Sequence, residues 1–302
     1  MKRFLILGAH GQLGRELQAA FSSAGDVIAH SRTACDLRDP FSVRIAIRTA
    51  RPDVILNAAA YTAVDRAESE PDLAMLINGE APGIMAEEAN KIGALLVHYS
   101  TDYVFDGSKS EPWTEDDLVN PLNVYGETKL AGERGIQQIG GRFVIFRTSW
   151  VFAPHGHNFL RTMLRLGQER EELKIVNDQR GAPTSASALA VATRSILTAG
   201  RTFDEVGGIY HMTCAGETTW AGFAQSIFAK AHANKPWASV IGIPASQYPT
   251  PARRPSNSVL SNAKLKAAFG VVLPSWETAL DEALRTLETP PERTLSQAES
   301  HP

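Results

Sequence analysis

Phe4-Leu5-Ile6-Leu7-Gly8-Ala9-His10-Gly11-Gln12-Leu13-Gly14 is the stretch on which the fold turns. Four uninterrupted apolar residues read as a buried strand. Glycines follow at positions 8, 11 and 14, and Leu13–Phe21 then takes helical spacing. Glycine lets a chain turn tightly, lets backbone approach a pyrophosphate, and lets a helix pack close on a strand. Unpaired N–H groups at the start of such a helix face phosphate oxygens. A glycine triple alone is an ordinary turn signal. Strand, glycines and helix in this order predict a nucleotide-binding start with Gly8 at its floor.

Working outward, Val27–Ala29, Val54–Leu56, Ala94–Tyr99 and Phe143–Arg147 read as further buried strands. Phe41–Ala50 and Leu130–Ile139 take helical spacing, and Asp39-Pro40 supplies an N-cap and a first-turn proline. Continuous apolar strands separated by helices predict a parallel sheet covered on both faces, a doubly wound, Rossmann-like α/β fold. Beyond Trp150 the alternation loosens. Helices are expected over Phe159–Arg170, Ala188–Ala199, Trp220–Ala233 and Trp276–Leu287, and strands over Leu173–Val176 and Gly208–Met212. A loop is expected over Asn177–Thr184. Pro249, Pro251 and Pro255 make Ser246–Asn257 irregular. From Thr289 the chain is polar and reads as a loose tail.

The expected division has a cofactor-binding unit of residues 1–150 and about 187–213. A smaller, discontinuous substrate-binding lobe takes about 151–186 and 214–288, with a tail over 289–302.

At 302 residues, with 43% apolar and 21% charged side chains, the chain can bury a full core, which excludes disorder. A formal net charge of −3 argues against a nucleic-acid partner or a membrane-surface footprint. Cys35 and Cys214 form neither a metal pattern nor a disulfide framework, as in a reducing compartment. The apolar run Phe4–Leu7 falls short of the ~7–15 residues of a secretion signal, and no stretch nears the ~20 of a membrane span. A cytoplasmic protein is expected. The eight histidines show no ligand spacing, so no metal site is expected.

His30-Ser31-Arg32 ends the second strand, where an NAD-specific site usually carries an acid. A hydroxyl and a guanidinium suit a 2′-phosphate, so Ser31 and Arg32 point to NADPH and leave NADH open. Asp36 and Leu37 follow where the adenine would lie. Asn57-Ala58-Ala59-Ala60 ends the third strand with small side chains that leave room for the cofactor. Tyr125 and Lys129 stand four apart, on one face of a helix. A nearby ammonium lowers a phenol's pKa, and a phenol so tuned can protonate a carbonyl that receives hydride. Thr101 closes the fourth strand at the carboxyl edge, where it can orient that carbonyl.

Several longer segments carry a resemblance. They are RPDVILNAAAYTAVD (51–65), HYSTDYVF (98–105), PLNVYGETKLAGE (121–133), FRTSWVF (146–152), NDQRGAPT (177–184) and YPTPARRPSNS (248–258). Together they span nearly the whole chain. On them the chain resembles the extended short-chain dehydrogenase/reductases and, within these, the dTDP-4-dehydrorhamnose reductase family. The resemblance implies Thr101, Tyr125 and Lys129 as catalytic residues, with Lys129 also on the nicotinamide ribose. It implies Gly11, Gln12 and Leu13 at the pyrophosphate, and Ala60, Tyr61 and Thr62 beside the cofactor. It places Thr101, Asp102 and Trp150 on the sugar, with Val64, Asp65 and Tyr103 as secondary candidates. Arg254 matches the family's Arg-Pro and is expected on phosphate or sugar; Arg180 is a further candidate cation, and Arg253 is expected in solvent.

Some members form a dimer around magnesium. Glu16 matches one ligand position, but Ser187 stands where those members have an acid. A monomer or weak homodimer without magnesium is therefore expected. The implied activity is reduction of the C4 ketone of a dTDP-linked 6-deoxy-sugar, with a sugar nucleotide as the small-molecule partner. The alternatives are a non-catalytic, reductase-like regulatory subunit and another sugar-nucleotide reductase or epimerase on this fold.

Overall fold

The N-terminal apolar run is flanked by a parallel strand on each side. In the computed structural model, which describes residues 1–200, 203, 207–232 and 236–288, β1 (Arg3–Leu7) lies between β2 (Asp26–His30) and β3 (Val54–Asn57). The sheet continues through β4 (Leu95–Thr101) and β5 (Phe143–Thr148) to β10 (Gly208–His211). The order is β2-β1-β3-β4-β5-β10, with every pair parallel. All six strands expected for a doubly wound sheet are in it. The chain reverses its winding between β1 and β3, where a crevice opens at the carboxyl ends.

Alternate residues of β1 serve opposite faces. Phe4 and Ile6 pack with α1 (Gln12–Phe21) and α8 (Ala186–Thr198), whereas Leu5 and Leu7 pack with α2 (Pro40–Ala50) and α5 (Ala81–Ile92). Asp39 caps α2 by accepting from the Phe41 N–H, with Pro40 in the first turn, as its sequence required.

One helix matters most for the site. α6 (Val124–Ile139) starts well before Leu130, where apolar spacing alone began it, because the Asn123 side chain accepts from the Gly126 N–H. That cap brings Tyr125 and Lys129 onto the first turns. Gly126 lets the helix press on the chain after β4: a Cβ there would lie 2.3 Å from the Tyr103 carbonyl oxygen.

A separate apolar cluster holds the C-terminal lobe. Phe152, Leu160, Phe223, Trp276 and Leu280 join β6 (Val151–Phe152), α7 (Phe159–Glu169), α9 (Trp220–Lys230) and α11 (Trp276–Glu288). β7 (Glu172–Val176) pairs in parallel with β12 (Ser239–Ile243). The stretch expected as a loop over Asn177–Thr184 contains β8 (Arg180–Gly181) and the start of β9 (Thr184–Ser185). β8 pairs with β11 (Thr218–Thr219) and β9 with β6. The helix expected to reach Ala233 ends at Lys230; residue 233 and the tail from Thr289 lie outside the described residues. α10 (Ala263–Phe269) had no counterpart in the sequence reading. No helix among the described residues is long and apolar enough to cross a membrane.

The turn after β1 tolerates no side chain. Gly8 has φ +85°, and an added Cβ would meet the Ala59 nitrogen at 2.8 Å. A Cβ on Gly14 would come 2.0 Å from the Gly8 carbonyl oxygen, so helix and strand could not approach. Gly14→Ala should therefore cost about 1–3 kcal/mol of stability, as overpacking does. The check is the urea midpoint; an unchanged midpoint would contradict close helix–strand packing here.

Candidate active site

A cleft of about 610 Å³ opens at the carboxyl edge of the sheet. Its floor is Gly8, Gly11, Gln12 and Leu13, and one end is formed by Ser31, Arg32, Asp36 and Leu37. Ala60, Tyr61 and Thr62 line one wall, and Tyr125 and Lys129 stand at the far end. The structure thus gathers every residue expected around the cofactor into one cavity. It adds Tyr99, Ser100 and Thr148 from strand ends, and Gly156 and His157 from the loop after β6. Strand-end position could have flagged Ser100 and Thr148; nothing local marks His157.

The donor set fits a dinucleotide. Backbone approaches the floor with no Cβ in the way, and the N-terminus of the ten-residue α1 faces it. Three buried oxygens lining the cleft, Gln12 Oε1, Ser100 Oγ and Thr148 Oγ1, have no hydrogen-bond partner among the described residues. Buried polar atoms left so are costly, and a polar ligand satisfies them. Arg32 is exposed at the rim, while Arg38 binds the Asp36 carboxylate through Nε at 3.0 and 2.9 Å. That pairing holds Asp36 down at about 2.

At the inner end the chemistry is carried by a few buried groups. The Thr101 side chain stands close to the Tyr125 phenol and acts on it. Thr101 Oγ1 donates to Asp102 Oδ1 at 2.9 Å and accepts from the Tyr103 N–H at 3.2 Å. The Tyr103 ring meets the Tyr125 ring edge-on at 5.8 Å and fixes it. Burial pushes the Tyr125 phenol up to about 12; Thr101 opposes this and Asp102 reinforces it. Burial likewise lifts Asp102 to about 6, with Ser258 and Thr101 opposing.

Lys129 departs from expectation. Its Nζ donates to the Tyr99 carbonyl at 2.6 Å and sits 3.2 Å from His98 Nε2, so two contacts of this amino group go to β4. Burial lowers Lys129 to about 8, with Glu133 opposing. The expected lowering of Tyr125 by Lys129 is thus absent, because desolvation governs both groups. The phenol keeps its proton throughout the neutral range.

The residues expected on the substrate do not line this cavity. They lie beside it, between the sheet and the C-terminal lobe. Trp150, at φ +48°, stacks on Trp220 at 3.6 Å and 8°. Gly181 lies against its other side, where a Cβ would fall 2.4 Å from the indole. Asp102 and Tyr103 form a turn of 3₁₀-helix after β4, and Val64 begins a short helix, α3 (Val64–Ala67). Arg254, expected on phosphate or sugar, is engaged by Asp65: its Nη2 donates to Oδ2 at 2.8 Å, and the Tyr103 phenol adds to holding its charge. Arg180 is likewise paired, with Glu217 at 2.6 Å. Arg253 is exposed, and its carbonyl accepts from Asn123 Nδ2 at 2.7 Å, tying the proline-rich loop to the cap of α6. Glu16 Oε1 meets His155 Nε2 at 2.7 Å. Among the described residues no three His, Cys, Asp or Glu side chains are grouped to hold a metal.

Comparison with known proteins adds to this geometry. Residues 1–289 match the family model described as RmlD substrate binding domain. A dTDP-4-dehydrorhamnose reductase of Burkholderia thailandensis is 48% identical over 295 residues, covering 94% of this chain and 99% of the relative. One from Escherichia coli K12 is 48% identical over 292 residues, covering 94% and 98%. A solved dTDP-4-dehydrorhamnose reductase of Bacillus anthracis, in complex with NADP, superposes with TM-score 0.88 at 35% identity, covering 95% of this chain and 99% of that one.

The raised Asp102 acid has a consequence for stability. Between about pH 4 and 6 the unfolded carboxyl ionises while the buried one keeps its proton, so the folded state binds more protons and stability falls as pH rises. Asp102→Asn removes that fall. Relative to wild type it should gain on the order of 1–3 kcal/mol between pH 4 and pH 7. Urea midpoints at both pH values check this, and a wild-type–variant difference independent of pH would contradict it.

Proposed function

The chain belongs to the dTDP-4-dehydrorhamnose reductase family, and on that footing we propose that it reduces the C4 ketone of dTDP-4-dehydro-L-rhamnose with NADPH, giving dTDP-L-rhamnose. The observation that carries the reading is Tyr125, with Thr101 close to its phenol, standing with Lys129 at one end of a glycine-floored cleft. Bound there, the cofactor supplies a hydride to the carbonyl carbon.

The chain's own groups do the rest. Tyr125 Oη gives its proton to the ketone oxygen as that oxygen gains charge, and the raised phenol keeps that proton available across neutral pH. Thr101 Oγ1 turns its one proton from Asp102 Oδ1 to the same oxygen and orients it. Lys129 holds the nicotinamide ribose. Gly8, Gly11, Gln12 and Leu13 take the pyrophosphate, and Ala60, Tyr61 and Thr62 close the wall. Asp102, Tyr103, Trp150 and Val64 hold the sugar. Arg254 serves the diphosphate once it exchanges its Asp65 partner for the ligand's charge.

Arg32 and Ser31 favour the 2′-phosphate. Arg38 already occupies Asp36, the acid that could otherwise serve a free 2′-hydroxyl. The two-unit division is part of the same proposal: β10 and α8 return to the first sheet, and the Phe152–Phe223 cluster packs on its own. So is a cytoplasmic monomer or weak homodimer. The intact Thr101, Tyr125 and Lys129 set argues against a regulatory subunit. Tyr103 after Asp102, in place of a second acid, argues against a dehydratase.

The direct test couples the purified protein to upstream enzymes acting on dTDP-glucose and follows NADPH loss with formation of dTDP-rhamnose. No NADPH loss with substrate present would refute the assignment. Tyr125→Phe should lower kcat/KM roughly 10²–10⁴-fold while NADPH still binds, as loss of a positioned acid does. Retained turnover would remove Tyr125 from its role. Arg32→Ala should lower kcat/KM with NADPH roughly tenfold or more and leave NADH nearly untouched, the usual worth of a charged hydrogen bond. Equal losses with both cofactors would dismiss the 2′-phosphate argument.

A further inference from the structure

Behind the catalytic lysine runs a buried polar chain that the reduction itself does not use. Lys129 is 1% exposed and His98 1% exposed, deep under the sheet's carboxyl edge. Ala59 N–H donates to Asn57 Oδ1 at 3.2 Å, which fixes the Asn57 amide. Its other end, Nδ2, is a donor and faces His98 Nδ1 at 2.9 Å. A neutral imidazole has one donor and one acceptor. Burial, with the Lys129 charge in second place, holds His98 well below the usual imidazole range, so the ring is neutral. With Nδ1 accepting, the ring proton sits on Nε2, aimed at Lys129 Nζ at 3.2 Å.

That arrangement is satisfied only by an amine. Neutral Nζ can accept from His98 Nε2–H and still donate to the Tyr99 carbonyl. An ammonium has only donors, so it faces a donor. Charging Lys129 therefore requires the ring proton to move to Nδ1 and the Asn57 amide to turn, which takes the acceptor from Ala59 N–H. Ala59 lines the cofactor cleft.

We propose that Asn57 and His98 are positioning residues that couple the charge on Lys129 to the hydrogen bond of the Ala59 backbone in the cofactor wall. Among charged groups around Lys129, Glu133 lies one turn along α6 and favours its charge, and Arg147 of β5 is tied to Glu133 by contacts of 2.7–3.2 Å. Tyr125 lies one turn back, and Asp102 faces Tyr125. None of these contacts His98; the ring alone sets the donor count at Nζ. This inference rests on the proposed reductase reading for its catalytic meaning, but its test does not.

The measurement is a ¹³C NMR titration of the full-length protein labelled at lysine, with the Lys129 resonance assigned by its loss in Lys129→Met. In His98→Gln, an amide free to turn can present an acceptor to the ammonium. Lys129 should then titrate about one pH unit or more higher than in wild type. Asn57→Ala should shift it in the same direction, and should add nothing in the His98→Gln background, since residues in one network are not additive. The same titration midpoint in wild type and in a folded His98→Gln would overturn the proposal. Should His98→Gln fail to fold, an unmoved midpoint in Asn57→Ala overturns it equally. If wild type fails to oxidise NADPH with the sugar nucleotide, the reductase reading falls, and the titration still decides the coupling.

Discussion

The close approach of Thr101 to Tyr125 brings the end of β4 against the first turn of α6, and the site depends on that junction. Three local features converge on it. Asn123 starts the helix at the right residue, Gly126 removes the side chain that would hold it off, and the Tyr103 ring braces the phenol. The proline-rich loop reaches in from the far end of the chain and holds the cap residue through the Arg253 carbonyl. Sheet register places Thr101 opposite Thr148 at the cleft's edge. A strand end and a helix start thus become one rigid unit, which is what positioned proton transfer requires.

The same junction is costly to keep. Lys129, Asp102, His98, Glu133 and Arg147 are all buried within a short span. The Glu133–Arg147 pair is the best satisfied, through several charged contacts, and Arg147 also lies over the Phe105 ring. Among the described residues Lys129 and Asp102 have no ion pair, so burial moves both toward neutrality, Lys129 downward and Asp102 upward. Destabilised ionisable groups beside a cleft are what a working site accepts in exchange for function.

Much of this was legible in the sequence, because its signals are local. Six apolar runs became the six sheet strands, and the glycine-rich turn, strand-end small residues and Tyr125/Lys129 spacing placed the cavity's lining. What stayed hidden is long-range. Asp65 meets Arg254 across nearly two hundred residues, so an arginine read as free for phosphate is already paired. His98 sits inside an apolar strand, and spacing could not show that it, with the Tyr99 carbonyl, would take the Lys129 contacts expected to tune Tyr125. α5, rich in alanine and glutamate, and β12, half exposed with Gly242 inside, lack the periodicity that reveals an element.

The proposed transfer of the Tyr125 proton to a ketone held by Thr101 needs both hydroxyls on one oxygen at the far end of the cleft. A crystal structure of the protein with NADP and dTDP-L-rhamnose tests this most directly. The sugar's O4 should lie within hydrogen-bond reach, roughly 2.6–3.2 Å, of both Tyr125 Oη and Thr101 Oγ1. An O4 turned away from both, with the phenol still bonded only to protein, would contradict it.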